Sequence, residues 1–219
     1  MRKVAVVLTI MWVYLQGENR FGKLYDEIGR ELFAHSMTYT NDGGYGIAGF
    51  SNTTPDHNML VLKLLGDGTI EWAKVFTNGF IDEPISIIQT QDDGYAIAGW
   101  TESFGAGESD FIVVKLNHDG NVEWAKTYGG AHLDIANSII QTTDGGYIIV
   151  GRTMSFGAGY NDIMVIKITS TGVLEWAKTF GGPDQESGAH IIQTATGGYI
   201  LIGHTYSFGA GSGDFLIIE

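Results

Sequence analysis

Three aspartates, Asp110, Asp162 and Asp214, stand 52 residues apart, and each closes a segment that opens on Ser-Phe-Gly-Ala-Gly at 103–107, 155–159 and 207–211. A carboxylate beside glycine-rich backbone is suited to three kinds of chemistry. It can ligate Ca2+, which takes about six to eight oxygens. It can accept hydrogen bonds from a ligand, or it can serve the N–H groups of its own loop. A phosphate cradle is excluded by residue type, because it wants a helix N-terminus and usually a Lys after the glycines. Here an apolar, strand-like run follows the Asp. Adding the loop serines and the acids of the "TYGGAHLD" and "TFGGPDQE" segments gives the candidate ligand-binding set Ser103, Asp110, Asp134, Ser155, Asp162, Asp184, Ser207 and Asp214. Ca2+ is an option at Asp110, Asp162 and Asp214, and no other cofactor is indicated. A structural corner that uses its own aspartate is the simplest reading of each loop.

Other catalytic chemistry finds little purchase. There is no cysteine, which removes disulfides, thiolate metal sites and cysteine nucleophiles together. His35, His57, His118, His132, His190 and His204 have no close metal-ligand spacing. An enzyme reading rests on residues that break the periodicity, for instance Glu102, His132 and His204, as a glycan lyase or hydrolase.

The elements that position these residues follow from the repeat. Trp72, Trp124 and Trp176 recur at 52, as do Lys63, Lys115 and Lys167, while Tyr45, Tyr95, Tyr147 and Tyr199 recur at 50, 52 and 52. Each unit carries four short runs rich in Ile, Val, Tyr, Trp and Thr, separated by Asp-Gly or Gly-Gly, which is the signature of strands and tight turns. With 32 Gly against 3 Pro, long helices are excluded. Four antiparallel strands in about 52 residues make one blade, so the expected fold is an all-β propeller. By alternation, the Asp-Gly turns share one face and the SFGAG loops lie on the other with the inter-blade segments. Gly105 and Gly107 are expected to adopt unusual backbone angles, with Phe104, Phe156 and Phe208 plugging neighbouring blades. The Trp and Tyr series reads as core, and the Lys series as snorkelling or pairing with loop carboxylates.

Residues 17–219 form the repeat domain, and two accounts of its closure stand. In one, "GENRFGKLY" supplies the fourth strand of the last blade, making a four-bladed ring without open edges. In the other the chain is part of a larger ring, and the apolar run before Gly17 is a third strand with Trp12 at the place Lys115 holds before Gly120. Residues 1–16 also resemble a secretory leader: two basic residues precede an apolar run too short to span a bilayer. The balance of 25 acidic to 12 basic residues, a net charge of −13, opposes a phosphate backbone, so nucleic acid is not an expected partner.

The order "SIIQT, DGGYIIVGRT, NDIMVIKI, GVLEWAKTFGG" resembles the kelch-like blade repeats of bacterial and archaeal secreted or cell-surface β-propellers. The resemblance implies that each blade's first strand lines a channel and that ligands approach the face carrying the SFGAG loops. The expected function is a non-catalytic binding module for a glycan, a protein or a cation. The alternatives are the glycan-active enzyme and a purely structural array that packs with further blades or with another copy of itself.

Overall fold

The computed structural model describes the backbone of residues 2–3, 9–14, 21–26, 31–53, 56–77 and 82–219, with side chains for 31–52, 57–76 and 82–219. All its regular elements are strands, and all pair antiparallel within five sheets. The first sheet contains β4 (Glu31–Tyr39), β5 (Tyr45–Thr53), β6 (Asp56–Leu64) and β7 (Ile70–Thr77), with the short β1 (Arg2–Lys3) beyond β7. The second contains β8 (Asp82–Gln89), β9 (Tyr95–Thr101), β10 (Asp110–Leu116) and β11 (Val122–Tyr128). The third contains β12 (Asp134–Gln141), β13 (Tyr147–Thr153), β14 (Asp162–Ile168) and β15 (Leu174–Phe180). The fourth has β16 (Glu186–Gln193), β17 (Tyr199–Thr205) and β18 (Asp214–Ile218).

Sequence dictates this regularity down to its irregularities. Each first strand carries a bulge at the same place, at Ala34/Ser36, Pro84/Ser86, Ala136/Ser138 and Gly188/His190. An added residue re-aims the strand locally, and repeating it four times keeps every sheet in one shape. The Asp-Gly turns need the left-handed backbone region, which Gly145 occupies at φ +81 and which Asp93 occupies at φ +59 as a non-glycine.

Successive sheets stack face to face with their first strands adjacent, a propeller-like arrangement. Ala48, Met59 and Val61 of the first sheet pack on Ile87, Ile97 and Val114 of the second. Ala96, Phe111 and Val113 then meet Ile139, Tyr147 and Ile166, and Val150, Ile163 and Val165 meet Ile191 and Leu201. Dispersion and burial of these branched side chains are the main stabilising term. Among the described residues nothing covers the equivalent face of the fourth sheet in this way: Phe215 and Ile217 are 77% and 64% exposed, where Ile163 and Val165 are buried.

Among the described residues no fourth strand pairs with β18. β3 (Phe21–Asp26) pairs with β2 (Thr9–Tyr14), so the chain's N-terminal strands form a hairpin of their own rather than extending β18. In this hairpin Trp12 stands opposite Lys23 and not opposite Phe21. Of the leader-like run, residues 4–8 lie outside the described residues. Among the described residues no helix is long and apolar enough to cross a membrane.

Candidate functional site

The two ends of the sheets are built on opposite electrostatic plans. At the Asp-Gly turn end, Lys63, Lys115 and Lys167 are buried to 3–4% exposure. Each ammonium is held by one carboxylate from the first turn and one from the last strand. Lys63 Nζ lies 2.7 Å from Asp42 and 3.4 Å from Glu71; Lys115 lies 2.9 Å from both Asp92 and Glu123; Lys167 lies 3.0 Å from both Asp144 and Glu175. The hydrogen bond from Lys63 holds the Asp42 carboxyl down at about 2, and the Thr142 hydroxyl with Gly146 N–H and Lys167 does the same for Asp144, also at about 2. Pairing with loop carboxylates is therefore the role of the Lys series. The Trp series closes the same end: Trp72 Nε1 donates to His118 O and Trp124 Nε1 to Ser170 O, both at 3.1 Å, across neighbouring sheets.

At the SFGAG end the buried charges are carboxylates, and hydroxyl and N–H groups solvate them. Asp110 Oδ2 accepts from Ala106 N at 2.8 Å, Asp162 Oδ2 from Ala158 N at 2.9 Å and Gly159 N at 3.1 Å, and Asp214 Oδ2 from Gly211 N at 3.3 Å. The three aspartates thus serve their own loops, each in a separate sheet. A second acid stands at the start of each first strand. Asp82 accepts from Thr101 Oγ1 and, at 2.9 Å, from Ser103 Oγ. Asp134 accepts from Gly130 N and Ser155 Oγ, both at 2.8 Å. Glu186 accepts from Gly182 N and Thr205 Oγ1 at 2.7 Å and from Ser207 N at 3.0 Å. Ser155 Oγ also takes His132 N–H at 3.0 Å, and Ser207 Oγ takes Asp184 N–H at 2.9 Å, which ties each loop to the preceding connection. Asp184 contributes backbone only to this belt; its side chain is exposed.

Two details differ from the sequence expectation. Gly105, Gly157 and Gly209 do take positive φ, at +121, +115 and +113, and a Cβ there would collide with the loop aspartate. Gly107 and Gly159 instead permit close approach, since a Cβ would run into the backbone of the next connection. Phe104, Phe156 and Phe208 do not plug their neighbours, being 46%, 48% and 54% exposed, with ring tips of the latter two resting near Gly130 and Gly182. The loop is too short to turn the ring inward while the aspartate holds its backbone.

Asp110 and Asp134 both flank Gly129, where a Cβ would meet both carboxylates. Burial first, and then the charge of Asp134, push the Asp110 carboxyl above its ordinary range despite the loop N–H bonds. In the next junction, burial raises Glu186 too, but hydrogen bonds from Thr205, Gly182 and Ser207 outweigh it and the net shift is downward. Among the described residues no three His, Cys, Asp or Glu side chains converge in a way that could hold a metal ion.

Sequence reasoning does not single out Asp82 and Glu186, although an acid at 82, 134 and 186 was a readable signal at the repeat spacing. It also leaves one position unassembled. The last residues of the four "YGIAGF", "YAIAGW", "YIIVGR" and "YILIGH" runs are Phe50, Trp100, Arg152 and His204, equivalent places at the SFGAG end that carry three different aromatic rings and one guanidinium. Phe50 is buried in a stack between Phe33 and His57, each 4.7 Å away, and His57 Nδ1 lies 2.6 Å from Glu83. Trp100 and Arg152 are half-buried and His204 is exposed, set edge-on to Tyr206 at 5.8 Å. Arg152 pairs with no carboxylate among the described residues, and its Nε is buried without a hydrogen-bond partner. Glu102 and His132 are exposed, and among the described residues no hydrogen bond or ion pair joins them to His204.

No protein-family model matches the chain, and no curated protein does. A solved protein of unknown function from Bacteroides caccae is similar over 82% of this chain, with a TM-score of 0.52 at 14% identity. The chain spans 56% of that structure's length, and the likeness concerns the fold alone. A crystal structure of the eukaryotic initiation factor is more distant, with a TM-score of 0.44 at 12% identity over 83% of this chain and 44% of that one.

Proposed function

We propose that this protein is a non-catalytic, kelch-like propeller module that works outside the cytoplasm and binds a surface protein or glycan presenting a carboxylate. The SFGAG belt is the frame of that site rather than its recognition surface. Its serines bond loop carboxylates or connection N–H groups and its aspartates accept from N–H and hydroxyl groups, Asp134 through Oδ2 while its Oδ1 is buried without a partner, so Ser103, Ser155, Ser207, Asp110, Asp162, Asp214 and Asp134 give the rim stiffness. Recognition falls to the position where the repeat diverges.

Arg152 is the observation that carries this reading. A guanidinium offers five donors and is rarely left half-buried without an acceptor. In a chain with 25 acidic residues it has no carboxylate partner among the described residues. A partner's carboxylate would pair with its terminal Nη groups, the Nε being out of a ligand's reach, while Trp100 and His204 in the adjoining sheets would supply aromatic contact. The test is immobilised protein screened against arrays of acidic and neutral glycans and of surface proteins, beside an Arg152→Gln variant and a Trp100→Ala, His204→Ala variant. Ligands lost by at least tenfold in Arg152→Gln support the reading. Binding that survives both variants, or no binding at all, overturns it.

A further inference from the structure

A groove of about 490 Å3 opens at the opposite end of the sheets, among the Asp-Gly turns, where three first strands end. Its size lies within the range of small-ligand sites, roughly 300–1,000 Å3. None of its lining residues is charged. In a chain of net charge −13 the surrounding field disfavours an anionic ligand, and with no carboxylate in the lining a cation finds no ligand either. What remains is a neutral, polar molecule.

The hydrogen-bonding state of the lining narrows this further. Gln89 Oε1 accepts from Asn41 N and Gln141 Oε1 from Gln91 N, both at 2.8 Å. These bonds fix each glutamine's orientation and use its carbonyl. Gln89 Nε2 then remains as a donor with no protein partner among the described residues, whereas Gln141 Nε2 is used by Gly145 O at 3.2 Å. Asn41 shows the converse, because its Nδ2 donates to Asp93 Oδ1 at 2.9 Å and its own carbonyl oxygen stays available. A fixed donor and a fixed acceptor lie in one groove, which suits a hydroxyl, the group that both gives and accepts.

An aromatic surface completes the arrangement. Tyr39 stands where the other three sheets have Gln89, Gln141 and Gln193, so it breaks the repeat at this rim. It is 68% exposed, and its ring is braced edge-on against Tyr45 at 5.8 Å and 71°. Ile88 and Ile140 add apolar surface from the first strands. A braced tyrosine offers a flat apolar face at low entropic cost, and a ring of C–H groups edged with hydroxyls matches it.

We propose that this groove binds a neutral saccharide, its apolar face on Tyr39 and its hydroxyls on Gln89 and Asn41. The site is distinct from the SFGAG rim and does not depend on Arg152. The experiment is calorimetric titration of the full chain with tetramers to hexamers of glucose, mannose, galactose and N-acetylglucosamine, and with oligogalacturonate as the charged control. Tyr39→Ala, Gln89→Ala and Arg152→Gln are titrated in parallel, with thermal melts to verify folding; Tyr39 is exposed enough for its truncation to leave the fold intact. Expected is saturable binding of at least one neutral oligomer, weakened tenfold or more by Tyr39→Ala and severalfold by Gln89→Ala, and unchanged by Arg152→Gln. Failure of every neutral oligomer to bind, binding of oligogalacturonate alone, or affinity unchanged by Tyr39→Ala overturns the proposal.

Discussion

The two rims bury charge of opposite sign and solve the resulting problem differently. At the turn rim, a buried ammonium meets two carboxylates that are themselves about half exposed, so water shares the work of stabilising the acids. At the SFGAG rim, the buried acid is at the centre: Asp134 is 0% exposed, and its contacts are an N–H and a hydroxyl rather than a cation. Ion pairs at a wet edge are forgiving, whereas a buried anion solvated by single donors is not. The turn rim should therefore lose less on substitution than the loop rim.

The largest expected effect follows from that difference. Asp134→Ala strands a buried N–H and a hydroxyl and empties volume, at a cost of about 3–4 kcal/mol in urea unfolding. Lys115→Ala frees two acids that water can take up, so its cost is smaller, about 2–3 kcal/mol, chiefly for the lost buried stem. A larger loss for Lys115→Ala would reverse the ranking of the rims. A single substitution type sharpens the same contrast. Gly157→Ala combines φ +115 with a collision against Asp162, whereas Gly145→Ala has φ +81 and open space around it. Backbone strain alone predicts about 1–2 kcal/mol for Gly145→Ala, and Gly157→Ala should exceed it. Equal losses would mean that the loop yields as readily as the turn.

The sequence discloses the repeating half of this molecule and little of the rest. Lys63, Trp72 and Tyr95 are visible because each recurs in a fixed frame, and a recurring side chain performs the same packing task each time. Phe104 misleads because an aromatic between glycines reads as buried, and only the short tether to Asp110 shows that its ring stays half out. Asp82 and Glu186 hide because one of three equivalent acids is a Glu, and because their burial depends on a pairing of β8 with β9 and of β16 with β17 that spacing alone does not fix. Arg152 and Tyr39 are harder still. Each is a departure from its repeat, and whether a departure matters depends on which neighbours it lacks, a property of three-dimensional packing.

The smallest effect separates one acid of each rim, Asp144 and Asp110, by sign. Asp144 has a folded pKa of about 2 against an ordinary 3.8, so the folded state binds fewer protons there; its stabilising contribution is present above about pH 4 and is lost as pH falls toward 2. Asp110 is raised above 3.8, so the folded state binds more protons there; the group is neutral in both states at low pH, and its cost appears as pH rises through the folded value. Urea midpoints measured from pH 2 to 7 should then show Asp144→Asn flattening the acid limb. Asp110→Asn, which keeps an oxygen for Ala106 N–H while removing the charge that faces Asp134, should instead raise stability relative to the parent chain toward neutral pH. If Asp110→Asn flattens the acid limb as Asp144→Asn does, the loop N–H groups outweigh burial at Asp110. Asp110 would then answer pH in the same direction as Asp144 and Glu186, and the difference between these sites would lie in packing rather than in charge.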